Sequence, residues 1–138
     1  MSLDITQLLH LANEMPAYRQ LIAGLGRSEN SPRLTVLDAA KPYLTAALYH
    51  SLGRPVFVVT AQPEDARNLQ EQLSTWLNYA KPRLFPEPDA LPYQRIASDV
   101  STELERLQVL SALANPKGNS AAPLVITSGL ALMQKTVS

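Results

Sequence analysis

Apolar positions divide the chain into segments of two kinds. Ile5, Leu8, Leu9 and Ala12 share a face at helical spacing, and after Pro16 the spacing resumes through Leu21 and Ile22 to Gly24. Two short helices are predicted there, with a turn-rich bridge through Gly26, Asn30, Ser31 and Pro32. Arg33 to Asp38 reads as a short, mostly apolar strand. From Pro42 to Leu52 the residues Leu44, Ala47, Leu48 and Leu52 repeat at helical spacing, Pro42 suits a first-turn position and Gly53 the stop. Pro55 to Thr60 is a continuous apolar run, the pattern of a strand covered on both faces. Pro63, Glu64 and Asp65 suit the first turn of a helix whose buried stripe is Ala66, Leu69, Leu73, Trp76, Leu77 and Ala80, with Pro82 as its end.

Arg83 to Phe85 is predicted as a third strand. Pro86, Pro88 and Pro92 then make the stretch from Pro86 to Tyr93 a rigid loop. Thr102 with Glu105 matches a capping box, and Val100, Leu104, Leu107, Leu110 and Ala114 form the apolar stripe of a helix from about 100 to 114. Asn115 to Pro123 is a loop, Leu124 to Thr127 a fourth strand, and Ser128 caps a helix begun by Leu130, Met133 and Val137. Strands alternating with helices predict an α/β fold: a parallel sheet with helices on both faces and right-handed crossovers. The expected division is an N-terminal helical segment and linker over 1–32 and an α/β domain over 33–138. The abrupt end at Lys135–Ser138 suggests a domain cut from a longer polypeptide.

Composition narrows the function. In 138 residues, 46% are hydrophobic and 17% charged, a globular balance with room for one ordinary core. Twelve Lys plus Arg offset twelve Asp plus Glu, so the net charge is zero and no whole-chain field draws the protein to nucleic acid or anionic lipid. Arg67, Arg83, Arg95 and Arg106 are scattered among acids, which argues against a stripe that tracks phosphates. There is no cysteine, hence no thiolate nucleophile and no Cys-based zinc site, and no stretch approaches the ~18 apolar residues of a membrane helix. Residues 1–11 lack the pattern of a signal peptide, so a cytoplasmic location is expected, with no membrane and no direct nucleic-acid partner.

Ligands of open parallel sheets bind beyond the carboxyl ends of the strands. After the first predicted strand stand Asp38, Ala39, Ala40, Lys41 and Pro42, with Thr45 beyond. A phosphate loop there would read GxxxxGK[ST], because glycines let backbone N–H groups fold round the phosphates. Lys41 is present, but Ala39 and Ala40 stand where glycines are wanted, Pro42 removes a donor and Asp38 adds a negative charge. The plain alternative is a strand-to-helix turn with Asp38 accepting from the first free N–H groups. Gly24 and Gly26 follow a helix and read as its ending turn. His10 and His50 lie forty residues apart with no second ligand at helical spacing, and each reads as a helix residue among leucines and small residues. Glu87 and Asp89 read as solvated loop charges, and no nucleophile, base and orienter come together. Leu91, Pro92 and Tyr93 form a candidate partner surface, since proline lowers the ordering cost of binding; covering the end of the sheet is the plainer role.

The run Pro55–Thr60, then Ala66, Leu69 and Leu73, then Leu84, Phe85 and Pro86 with Leu91, Pro92 and Tyr93, then Glu105, Arg106 and Leu107, then Leu124–Thr127 with Leu132, Met133 and Gln134, resembles the start of the bacterial transcription-repair coupling factors, the Mfd family, over about residues 33–137. The resemblance implies a RecA-like (P-loop NTPase-like) domain similar to the first domain of the excision-repair protein UvrB but with its nucleotide site lost, a loss that the residues around Lys41 also fit. It implies no cofactor in this chain, with ATP and magnesium used elsewhere in a parent DNA translocase that releases stalled RNA polymerase and recruits UvrA. The expected partners are neighbouring domains of the same polypeptide, with UvrA and RNA polymerase bound through other domains. Two rivals stay open: a divergent nucleotide hydrolase with Lys41 on phosphate and Thr45 on magnesium, and an unrelated α/β interaction domain.

Overall fold

A computed structural model describes residues 4–27, 32–88, 100–115 and 121–134. A 3₁₀ helix, Ile5–Glu14, leads into α1, Pro16–Gly26, and a short 3₁₀ turn, Asp38–Ala40, leads into α2, Lys41–Leu52. There follow β1 (Val56–Thr60), α3 (Pro63–Trp76), β2 (Arg83–Phe85), α4 (Val100–Ala114), β3 (Leu124–Ser128) and α5 (Gly129–Met133). The fold is α/β. Its sheet has three parallel strands in the order β1-β3-β2, with Val58 and Leu84 both opposite Ile126.

Alternation along the strands divides the core in two. On one side Leu124 and Ile126, flanked by Val56, Val58 and Leu84, pack against Ala46, Ala47 and Tyr49 of α2 and Ala66 and Leu73 of α3. Leu9 and Ala12 of the N-terminal 3₁₀ helix and Tyr18 of α1 belong to this same cluster. Polar contacts fasten them there: the Tyr43 hydroxyl donates to the Leu8 carbonyl at 2.9 Å, and Tyr18 and Ser51 share a hydrogen bond of 2.8 Å. The other side is smaller and holds Phe85, Val125, Val109 and Ala131, with Leu113 half-buried against them. Helices therefore cover both faces, but unequally.

Several expectations hold. Ala66 and Leu73 of the α3 stripe are buried and Leu69 and Trp76 half-buried, although the helix ends at Trp76 and not at Pro82, leaving the buried Leu77 and Ala80 beyond it. Gly53 ends α2 at φ 57° in the left-handed region that glycine enters without steric cost, and the Ser128 hydroxyl caps α5 by accepting from the Ala131 N–H at 3.1 Å.

Others need correction. Arg33–Asp38 is not a strand: 32–37 is irregular, Leu37 is 81% exposed and Asp38 opens the 3₁₀ turn, so the sheet has three strands among the described residues. A β-prone run becomes a strand only where a neighbour takes its backbone hydrogen bonds, and no described strand does so here. The strand covered on both faces is β3, all five of whose residues are buried, whereas β1 is an edge whose Phe57 and Val59 are 46% and 53% exposed. Both runs are equally apolar in sequence. The crossover through α4 decides between them by bringing β3 back between its predecessors.

The facing of α4 also reverses. Arg106, Val109 and Ala112 are buried, while Val100, Leu104, Leu107, Leu110 and Ala114, the predicted stripe, face outward. Nor do Thr102 and Glu105 mark a capped start, since α4 already runs from Val100. Leu91, Pro92, Tyr93, Asp89, Arg95 and Val137 lie outside the described residues.

Leu73, wholly buried where α3 meets the sheet, is expected to cost about 2–5 kcal/mol when cut to alanine, the usual range for a leucine deleted from a packed core. Urea denaturation of Leu73→Ala beside the parent chain measures it, and a loss below ~1 kcal/mol contradicts the core described here.

Candidate functional site

The first place to look is the carboxyl end of β1, where an open groove of about 670 Å³ lies between α2 and α3. Lys41, Pro42 and Thr45 line it from α2, Asp65, Asn68 and Gln72 from α3, with Thr60 at the strand end and Asp38 at the rim. The turn Asp38–Ala40 brings the chain straight into the helix, with Ala40 at the cap position and no side chain capping the first N–H groups. Asp38 is therefore not the cap expected of it. Its carboxylate instead accepts from the Lys41 ammonium at 2.6 Å, an exposed ion pair three residues apart. Pairing lowers the Asp38 pKa and raises that of Lys41, in each case chiefly through this hydrogen bond and then through charge attraction.

This arrangement suits a phosphate poorly. An oxyanion needs converging N–H donors, and Pro42 in the first turn has none to give. The lysine charge is matched by Asp38, and Asp65 adds a second carboxylate to the same groove. What the groove does supply is a cation, two hydroxyls and two amides around one concavity, beside the two carboxylates.

The carboxyl ends of β2 and β3 carry a different group of residues. Arg106 of α4 is 1% exposed, and its guanidinium donates to the main-chain carbonyls of Pro86, Ala131 and Gln134, at 3.4 Å for Ala131 and 3.0 Å for Gln134. It lies 4.0 Å from the centroid of the Phe85 ring, within cation–π range. Burial lowers its pKa by disfavouring the charged form. Beside it Thr127 donates to the Phe85 carbonyl at 3.0 Å, and the Ser128 hydroxyl donates to Glu87 at 2.7 Å. Glu87, expected as a solvated loop charge, is thus half-buried and bonded. Among the described residues the contacts of this cluster hold together the strand ends, the start of the proline-rich segment and α5.

A third grouping joins residues that sequence spacing kept apart. His10 and His50 meet with ring centroids 5.2 Å apart at an interplanar angle of 84°, and His50 Nδ1 is hydrogen-bonded to the Tyr79 hydroxyl at 2.9 Å. Burial raises the Tyr79 pKa, with a smaller contribution from neighbouring Tyr49. No signal along the chain could have paired these rings, because the N-terminal 3₁₀ helix crosses α2 only in the folded state. Arg67 and Arg83 line a groove with Glu71 and Glu105, which keeps the dispersed, acid-matched pattern expected of the arginines. Among the described residues no helix is long and apolar enough to cross a membrane, and no group of three or more His, Asp or Glu side chains could hold a metal ion.

Millimolar Mg-ATP is expected to leave the melting midpoint unchanged, in the parent chain and in Lys41→Ala alike. A site with a dissociation constant of ~10 μM would add about 2.7 kcal/mol at a hundredfold ligand excess and raise Tm by several degrees. A rise that disappears in Lys41→Ala reveals a working nucleotide site and overturns this reading of the groove.

No protein-family model matches the chain, and no curated protein matches it.

Proposed function

We propose that this chain is a non-catalytic scaffold: a degenerate RecA-like domain at the N-terminus of a transcription-repair coupling factor. The observation that carries the proposal is the number of large apolar side chains left exposed on β1, α4 and α5. Phe57 and Val59 of β1, Leu104, Leu107 and Leu110 of α4, and Leu130 and Met133 of α5 are all exposed. Scattered surface leucines are ordinary, but nine large apolar residues on β1, α4 and α5, these seven with Val100 and Leu132, suit a domain that packs among others. In this reading the surface is covered by neighbouring domains of the same polypeptide, and the domain's work is placement. The groove beside Lys41 supports the degenerate character, since its lysine is engaged by Asp38 and its helix opens with a proline.

A divergent nucleotide hydrolase has one observation in its favour, that Lys41 and Thr45 line the same groove at the end of a strand. Against it, Asp38 already engages the Lys41 charge and Asp65 brings a second carboxylate to the groove, which repels a triphosphate. In the parent protein of the scaffold reading, ATP hydrolysis, DNA translocation and contact with RNA polymerase fall to other domains.

The reading is tested by capture of UvrA. The 138-residue chain alone is expected to retain little or none, and the chain extended through the next domain of a coupling factor to retain it clearly. Equal capture by both would move the recognition surface into this chain and remove the purely scaffolding role.

A further inference from the structure

We propose that the outward face of α4 is a docking surface for a second copy of this chain, with the two α4 helices lying antiparallel about a two-fold axis. The first argument is spacing. Val100, Leu104, Leu107, Ser111 and Ala114 follow one another at steps of four, three, four and three residues, the repeat of a coiled-coil seam. All five are exposed, with Val100 at 76%, Leu104 at 52% and Leu107 at 46%. Arg106, Val109 and Ala112 are buried on the opposite face, so α4 is already held in place and presents the seam without a change of fold.

The second argument is self-complementarity. An axis between residues 105 and 106 sets Leu104 of one copy against Leu107 of the other, and Leu107 against Leu104. At each end the larger Val100 then lies over the smaller Ser111, whereas a parallel pair sets Ser111 against Ser111 and leaves a gap. Antiparallel helices also bring opposite dipole ends together. Charge agrees with this pairing. No seam position is charged, and Glu103 beside the seam comes level with Gln108 and Leu110 of the second copy and not with the other Glu103. A seam without charge of its own selects no oppositely charged partner, and its own reversed pattern fits it.

The contact is short. One helix of 15 residues is ~22 Å long and offers less than the ~800 Å² per partner of a standard interface, so the dimer is weak, with a dissociation constant on the order of 10 μM. The inference goes beyond the scaffold reading: the second copy takes the α4 seam, and neighbouring domains keep β1 and α5. Its failure is a monomer, whereas the failure of that reading is equal capture of UvrA by the short and the extended chain.

The test is sedimentation equilibrium of the 138-residue chain from micromolar to near-millimolar concentration. A monomer–dimer equilibrium is expected, and Leu107→Lys, which sets a charge on each side of the axis, should weaken it roughly tenfold or more. Leu107 is exposed in the monomer, so urea denaturation of that variant should stay close to the parent and separate loss of docking from loss of fold. Orientation is read with cysteines, of which the chain has none of its own. Val100→Cys and Ser111→Cys together in one chain, oxidised with diamide, should give disulfide-linked dimers, and Ser111→Cys alone should give none. The two positions stand ~16 Å apart along one helix and cannot bridge within a copy. A chain that stays monomeric throughout overturns the proposal, and so does a dimer unchanged in Leu107→Lys or linkage through Ser111→Cys alone. If Leu107→Lys fails to fold, the disulfide pattern decides, since it leaves the leucines of the seam in place.

Discussion

The fold turns on a buried charge. Arg106 carries its guanidinium to the ends of β2 and β3 and gives its protons to the carbonyls of Pro86, Ala131 and Gln134. Removing a guanidinium from water costs several kcal/mol, and main-chain oxygens together with the Phe85 ring stand in for the lost hydration. Those carbonyls belong to three separate places: the exit of β2, the body of α5 and the residue just past its end. One side chain therefore sets where the proline-rich segment leaves the sheet, how α4 lies and where α5 stops.

The facing of α4 follows. Along α4 Arg106, Val109 and Ala112 face inward with Leu113 half-buried, while Leu104, Leu107 and Leu110 are left exposed. The apolar side chains at those outward positions are exposed, as are Phe57 and Val59 of the edge strand. The outward facing of these α4 residues accompanies the burial of the arginine, whereas the exposure of Phe57 and Val59 follows from the place of β1 at the edge of the sheet.

Where neighbours in sequence are neighbours in space, the chain could be read directly. The α3 stripe from Ala66 to Trp76, the Gly53 stop, the Ser128 cap and the apolar runs of β1 and β3 all follow from local spacing. Periodicity ranks arginine as an outward residue, so it assigned α4 the wrong face: nothing local records that three carbonyls wait for Arg106. Propensity made a strand of Arg33–Asp38 because the run is β-prone, yet pairing depends on another strand. The contact of His10 with His50 depends on helix crossing, and the coverage of β1 on crossover topology. Of the groove at the end of β1, Lys41, Pro42 and Thr45 were legible as a failed phosphate loop. The contributions of Asp65, Asn68 and Gln72 required the packing of α3 beside α2.

The central claim, that the buried guanidinium organises this end of the sheet, is tested most directly by replacing Arg106 with methionine, which keeps much of the length and loses the donors. Three main-chain carbonyls then remain buried without that partner, and the stability measured by urea denaturation is expected to fall by about 2–4 kcal/mol. Stability unchanged within ~0.5 kcal/mol, or increased, would show that an apolar side chain serves as well and that the arginine does not hold the fold together.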